Sequence, residues 1–349
     1  MRAFIKKYGS VLYIALATAI VLVVISRSKD LPDAIKAFGY METEWVWAAL
    51  AVMVLYILTR CGLLIYYLRR QGEKIGLFDA LVVSGTGHFY SAITPSASGG
   101  QPMQVLAMHR RGIPVSTAVA TVSVKFIGFQ VSLLLMGLIC WILNGSMVYG
   151  QLGGMLYIVV LGFVLNGVLM AAVILTAGRI ALVNRALSWC VRLAARLHFV
   201  KDEDATRAKA QKSLEEYRSA LWALLTHPLD ALMVLLLSLL QVLFLMSVPF
   251  CLYRAFALEG WTFGQLLTLQ LLLFISAAFV PLPGAAGVQE GGFYLFFLDI
   301  FPEGSILAAM LCWRLFTYYL LMIFGLATMI AESLRNWIRG KDRPRAGDG

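Results

Sequence analysis

Two polar, glycine-rich stretches interrupt apolar sequence, and ionisable residues lie close to them. Residues 94–102 read TPSASGGQP, and residues 281–292 read PLPGAAGVQEGG. Lipid cannot hydrogen-bond free backbone groups, so broken backbone at membrane depth survives only inside protein or beside a water-filled cavity. We call these stretches the first break and the second break. Paired breaks of this kind in a membrane protein point to a transport site.

Ionisable residues within apolar spans require a partner or a cavity, because each costs about 2.5 kcal/mol or more at the span centre. Cations at this depth, with backbone N–H groups exposed by glycine, are suited to hold a phosphate. We therefore predict a lipid-headgroup site between the two breaks. Its candidate residues are Thr94, Pro95, Ser96, Ser98, Gly99, Gly100, Gln101, Lys125, Pro283, Gly284, Gly287, Glu290 and Arg314, with Arg60 and His88 as secondary candidates.

Purely structural roles for these residues stay open at this point. Glu290 can neutralise one of the cations and lock the fold, and the hydroxyls of the first break can cap a broken helix. Arg60 can extend to the cytoplasmic face. His88 can be a packed, hydrogen-bonded histidine.

Composition favours an integral membrane protein without a cofactor. The 349 residues are 60% hydrophobic and 14% charged, with a mean hydropathy of +0.80, whereas soluble domains are about half apolar and a quarter charged. The net charge of +10 lies in clusters between apolar runs, which indicates membrane topology and lipid contact rather than nucleic-acid binding. The five cysteines are scattered, and we predict no metal site, no cofactor and no catalytic residue.

The predicted architecture is an all-α polytopic membrane protein with about six full spans and two re-entrant hairpins. A spanning helix needs about 20 apolar residues, and six runs meet this requirement: 8–26, 45–68, 115–143, 153–177, 229–253 and 305–330. Segments 78–108 and 263–301 are apolar but contain the breaks, and their second limbs are too short to cross a bilayer. Basic residues place both termini in the cytoplasm. The hairpins then enter from opposite faces, and the two halves form inverted repeats.

The predicted domain organisation follows these halves. Residues 1–143 form the first membrane half, 144–177 open the second half, and 229–331 complete it. Residues 178–228 form a basic helical connector that lies on the membrane surface or links the halves as a solvated segment. Residues 332–349 form a basic cytoplasmic tail.

The two breaks resemble elements of a known family. Residues 94–102 are similar to a T-P-S-x-x-G-G-x-P element, and residues 281–290 to a P-x-P-G-x-x-G-x-x-E element, of the lysylphosphatidylglycerol synthase transmembrane family, also called the flippase-like membrane domain family. The resemblance extends over residues 8–330. In the multiple peptide resistance factor, a similar membrane domain moves aminoacylated phosphatidylglycerol to the outer leaflet, and a separate cytoplasmic domain makes that lipid. We recognise no such synthase domain in this sequence.

The resemblance implies a flippase-like transporter of the bacterial inner membrane. It would move an anionic or aminoacyl phospholipid, such as lysylphosphatidylglycerol, between leaflets. Two alternatives remain: a phosphatidylglycerol lysyltransferase-type enzyme or its membrane subunit, and a scaffold that recruits a lipid-modifying enzyme through residues 178–228. The expected partners are the phospholipid, the membrane and a separate lipid-synthesis enzyme. The sequence fixes neither the lipid, the direction, the energy source nor the oligomeric state.

Overall fold

A computed structural model describes residue 36 and residues 39–94, 97–178, 226–277, 287–302 and 304–341. The predicted span 8–26, residues 179–225 of the connector, residues 342–349 of the tail, and Pro95, Ser96, Pro283 and Gly284 lie outside the described residues. Within those ranges the chain is helical and contains no strand. Five segments are long and apolar enough to cross a membrane: Thr43–Arg70, Val115–Leu143, Gly145–Ala171, Pro228–Ala255 and Ser305–Ile338. The all-α polytopic fold class is confirmed, and the full number of spans stays a prediction.

We number the α-helices from the first one in the described ranges. They are α1 (Thr43–Arg70), α2 (Leu77–Ile93), α3 (Gly100–His109), α4 (Val115–Leu143), α5 (Gly145–Leu152), α6 (Leu156–Gly178), α7 (Pro228–Met246), α8 (Val248–Ala255), α9 (Phe263–Ala277), α10 (Val288–Phe297), α11 (Ser305–Arg314) and α12 (Leu320–Lys341). A π-helical segment, Leu315–Tyr319, joins α11 to α12. The last span is therefore one continuous helical path with a π-helical turn near its middle.

The first break joins α2 and α3 into a helical hairpin. At the outer ends, Arg111 Nε lies 3.2 Å from Asp79 Oδ1, so the beginning of α2 and the end of α3 are neighbours. Arg111 also pairs with Glu332 of α12. The limbs pack closely, since a Cβ at Gly100 would lie 2.7 Å from the backbone oxygen of Gly87. The outer ends of this first hairpin therefore lie beside the C-terminal part of the last span.

The second break joins α9 and α10 in the same way, at the other end of the last span. Both outer ends contact α8: Phe263 packs edge-on against Phe250 at 5.2 Å between ring centroids, and Phe301 packs against Tyr253 at 5.9 Å. Phe301 lies four residues before Ser305, the beginning of α11. The outer ends of this second hairpin therefore lie beside the beginning of the last span, opposite those of the first hairpin.

Each hairpin packs on long helices of the chain. The long limb α2 packs on α12, and the long limb α9 packs on α4. The short limb α3 packs on α4, and the short limb α10 packs on α11. At the centre, α1 packs against α7 and α8. These pairs agree with the predicted repeats. The inversion of the repeats, the re-entrant placement of the hairpins in a bilayer and the domain boundaries stay predictions.

Aromatic packing fixes the second hairpin against the last span. Phe293 of α10 stacks on Phe297 at 4.5 Å and on Trp313 of α11 at 4.9 Å. All three side chains are almost fully buried. Ring separations in this range give favourable stacking in addition to the area they bury. The first turn of α10 is thereby held close to Arg314, the residue after Trp313.

Candidate functional site

A polar cavity of about 100 Å³ lies between α1, α3, α4 and α7. Its lining residues are Arg60, Gln101, Gln104, Val122, Lys125, Phe126, Phe129 and Gln241. Two are cations and three are amides, and among the residues that the structure describes no carboxylate lines it. The cavity therefore has the electrostatic character of an anion site.

Both cations of the cavity lie near the middle of their helices. Lys125 follows the beginning of α4 by ten residues, and Arg60 precedes the end of α1 by ten residues. At about 1.5 Å per residue, each lies about 15 Å from the helix end. The apolar core of a bilayer is about 30 Å thick. If α1 and α4 cross a membrane, the cavity lies near its midplane.

Lys125 is buried, and its described partner is uncharged. Its side chain is 6% exposed, and its Nζ donates to Gln104 Oε1 at 3.2 Å. Gly87 leaves the space that the Gln104 side chain occupies, because a Cβ at position 87 would collide with that side chain. Within the described ranges, no carboxylate lies within ion-pair distance of Lys125. A bound anion would supply the missing counter-charge.

Arg60 lies beside other polar groups that lack protein partners. Its Nη1 donates to Tyr56 OH at 3.4 Å, a long contact, and its Nε is buried without a hydrogen-bond partner. Tyr56 lies one turn before Arg60, so this side chain extends away from the Arg70 end of α1. His88, whose ring lies 5.7 Å from that of Tyr56, also has a buried, unpartnered Nε2. Unsatisfied buried donors are costly, and a ligand that accepted from them would recover that cost.

Thr94 holds the first break in shape. Its hydroxyl donates to Tyr90 O at 2.6 Å and accepts from Gly99 N at 2.9 Å, which is the capping role considered from the sequence. Ser98 and Gln101 are exposed. Of the candidate residues described in this break, Gln101 lines the cavity, and Gly100 allows α3 to approach α2.

Arg314 and Glu290 form a separate cluster at the second break. Arg314 Nε lies 2.7 Å from Glu290 Oε1, and its Nη1 donates to Gln289 Oε1 at 3.1 Å. The other carboxylate oxygen of Glu290 accepts from Gly287 N at 2.6 Å. The structure therefore places Arg314 outside the cavity of Lys125, in the arrangement where Glu290 neutralises a cation.

The middle of the last span contacts the end of α2, just before the first break, and also the second break. Tyr318, in the π-helical segment, donates its hydroxyl to Ala92 O at 3.0 Å, near the end of α2. Carbonyls in the last turn of a helix lack intrahelical partners. Arg314, one turn earlier, holds the second break, and its guanidinium lies 5.4 Å from the Tyr318 ring centroid. Single π-helical turns within α-helices occur frequently at functional sites.

Sequence reasoning missed several uncharged residues of this region. Gln104 and Gln241 line the cavity, and Tyr318 contacts the end of α2. For the two glutamines, the sequence does contain a signal: each is an amide side chain within apolar sequence. An amide without a partner is unfavourable in lipid, as any unpaired polar group is. Buried Asn166 shows the same feature: it bonds Gln130 and donates to Ile275 O at 3.1 Å, near the end of α9.

Comparison with known proteins assigns the chain to a family. The family model described as "Lysylphosphatidylglycerol synthase TM region" matches residues 10–325. The chain belongs to this family. A "UPF0104 membrane protein" of Archaeoglobus fulgidus is 24% identical over 314 residues, which cover 82% of this chain and 90% of that protein. The resemblance inferred from the breaks is confirmed, and the family indicates a multi-pass membrane protein of lipid metabolism or transport. A bacterial inner membrane and cytoplasmic termini stay predictions.

Proposed function

We propose that this family member moves an anionic or aminoacyl phospholipid between membrane leaflets. The headgroup passes through the cavity at Lys125, and the acyl chains stay in the surrounding lipid. The observation that carries this proposal is a buried cation near the middle of α4, next to a second cation and without a described carboxylate partner. Intramembrane ionisable residues of this kind mark substrate pathways.

In this proposal the residues divide into two groups. Lys125 and Arg60 hold the phosphate, while Gln101, Gln104 and Gln241 hydrogen-bond the remainder of the headgroup. Phosphate oxygens accept hydrogen bonds from both kinds of donor, and the bonds from the charged Lys125 and Arg60 are the stronger ones. Arg314 and Glu290 serve a different purpose, since their charges already pair with one another. They position the second hairpin.

The first hairpin offers a route for movement around the cavity. Its two limbs are joined by the polar break at residues 94–99, which Thr94 stabilises with two hydrogen bonds. Gln101 and Gln104 lie on the short limb α3, so a displacement of α3 relative to α4 would reshape the cavity. Rocking of one repeat against the other around a fixed site is the usual basis of alternating access.

Transport by reconstituted protein tests the proposal. Purified protein in liposomes would be supplied with phosphatidylglycerol labelled on an acyl chain, and a membrane-impermeant quencher would report the label that reaches the outer leaflet. We expect Lys125→Ala to slow transport about tenfold or more, since a hydrogen bond to a charged group contributes about 1.5–3 kcal/mol. Lys125→Arg, which keeps the charge, should retain more activity.

Arg254→Ala provides the matched control. Arg254 is also a cation on a membrane-span helix, but it pairs with exposed Glu259 and lies outside the cavity. Its removal should leave the transport rate near that of the unchanged protein. Rates no higher than those of protein-free liposomes would refute transport of phosphatidylglycerol. Equal rates for Lys125→Ala and Arg254→Ala would refute the site.

A further inference from the structure

The cavity is positively charged, and four carboxylates in the described helices are paired with arginines outside it. Lys125 and Arg60 contribute two positive charges, and the other lining residues described are neutral. Four carboxylates in the described membrane helices pair with arginines: Glu290 with Arg314, Asp230 with Arg70, and Asp79 and Glu332 with Arg111. A headgroup in the cavity thus meets uncompensated positive charge.

This charge balance limits which charged groups a bound headgroup can carry. A phosphodiester brings one negative charge and leaves the site with one net positive charge. An ammonium on the same headgroup would lie among like charges, with no described carboxylate to pair with it. Amide oxygens can accept from an ammonium, but they bring no negative charge.

The amides complete the chemical description of the ligand. Gln101, Gln104 and Gln241 each present both a hydrogen-bond donor and an acceptor. A hydroxyl also donates and accepts, so polyol groups can use both functions of each amide. Beyond Arg60, the adjacent polar side chain is His88, next to Tyr56, and a histidine can add only positive charge.

We infer that the cavity selects a phosphate headgroup that bears hydroxyl groups and no amine. This inference rests on the proposed function and narrows its substrate class. The cavity would thus favour a lipid such as phosphatidylglycerol over lysylphosphatidylglycerol, the lipid that appears in the family's name.

Paired lipids test the selectivity. Phosphatidylglycerol and lysylphosphatidylglycerol with the same labelled acyl chain would be compared in the liposome assay. We expect phosphatidylglycerol to move at least tenfold faster. Equal rates, or faster movement of the lysyl lipid, would overturn the inference and leave transport itself intact. Movement of neither lipid would refute transport.

A binding measurement decides the selectivity even without transport. Each lipid would be added to the protein in detergent, and the shift in unfolding temperature recorded. A larger stabilisation by phosphatidylglycerol supports the inference, and an equal or larger stabilisation by the lysyl lipid contradicts it.

A carboxylate introduced into the cavity should weaken the preference for phosphatidylglycerol. Gln241→Glu keeps the side-chain shape and adds a negative charge to the lining. We expect the ratio of phosphatidylglycerol to lysyl-lipid transport to fall severalfold. Gln265→Glu is the control, because half-buried Gln265 uses its Oε1 to accept from Thr262 N at 2.9 Å, which a carboxylate can also do. A ratio unchanged by Gln241→Glu would contradict the electrostatic basis of selection.

Discussion

Glu290→Gln would remove the charge that faces Arg314 while preserving the shape of the side chain. The two side chains are 17% and 7% exposed, and their closest atoms are 2.7 Å apart. In the variant, the guanidinium stays buried without its counter-ion, and breaking a buried ion pair typically costs about 3–5 kcal/mol. Gln289 still accepts from Arg314, and the new amide can accept one hydrogen bond. We therefore expect a loss of about 3 kcal/mol, the lower end of that range.

Equilibrium unfolding in mixed micelles measures this loss as a change in the free energy of unfolding. The matched control is Glu259→Gln, in which the carboxylate is 81% exposed and lies 3.5 Å from Arg254. Exposed pairs contribute about 0–1 kcal/mol, so the control should remain close to the unchanged protein. Equal losses in the two variants would refute the reasoning.

A double-mutant cycle isolates the coupling between the two residues. Arg314→Gln should cost less in a protein that already carries Glu290→Gln, because the arginine there has lost its counter-ion. Contacting charged pairs typically show coupling of about 0.5–3 kcal/mol. If the two substitutions are additive, Glu290 does not stabilise Arg314, and the cluster has been misinterpreted.

Three further substitutions probe the hairpins. Gly162→Ala should lower the unfolding temperature, because its Cβ would lie 2.9 Å from Ile275 O. Gly167→Ala on the same helix is the control, because its Cβ would meet no atom within 4 Å. The control should be neutral or stabilise the protein by up to about 1 kcal/mol. Gly287→Ala should destabilise by about 1–2 kcal/mol through its backbone alone, since φ is +85° and its Cβ meets no atom within 4 Å; chemical denaturation measures this. Tyr318→Phe removes the hydrogen bond to the end of α2, and hydrogen exchange by mass spectrometry should show faster exchange at the first break.

Helix limits were predictable where hydropathy alone determines them. The run 115–143 was predicted as a span, and α4 has the same limits. The first break was placed at residues 94–102, and the structure ends α2 at Ile93 and begins α3 at Gly100. Apolar length and the distribution of proline and glycine are local properties, so the sequence displays them directly.

The choice of partners was not predictable, because tertiary packing decides it. The sequence suggested that Glu290 neutralises a cation but did not identify Arg314, which lies 24 residues away. Lys125 and Arg314 were both predicted to belong to the headgroup site, yet one lines a cavity and the other pairs with a carboxylate. The π-helical segment has no local signature here, and the burial of Gln104 depends on the space left by Gly87.

The π-helical turn has an implication for inhibition. Arg314 forms an ion pair with the second hairpin. Tyr318, four residues later on the same helical path, donates a hydrogen bond to the first hairpin. A small molecule bound between Arg314 and Glu290 would shift this turn and weaken the hydrogen bond from Tyr318 to Ala92 O. If the protein transports lipid as proposed, such a compound would slow transport without competing with the lipid for the cavity, and raising the lipid concentration would not relieve the inhibition.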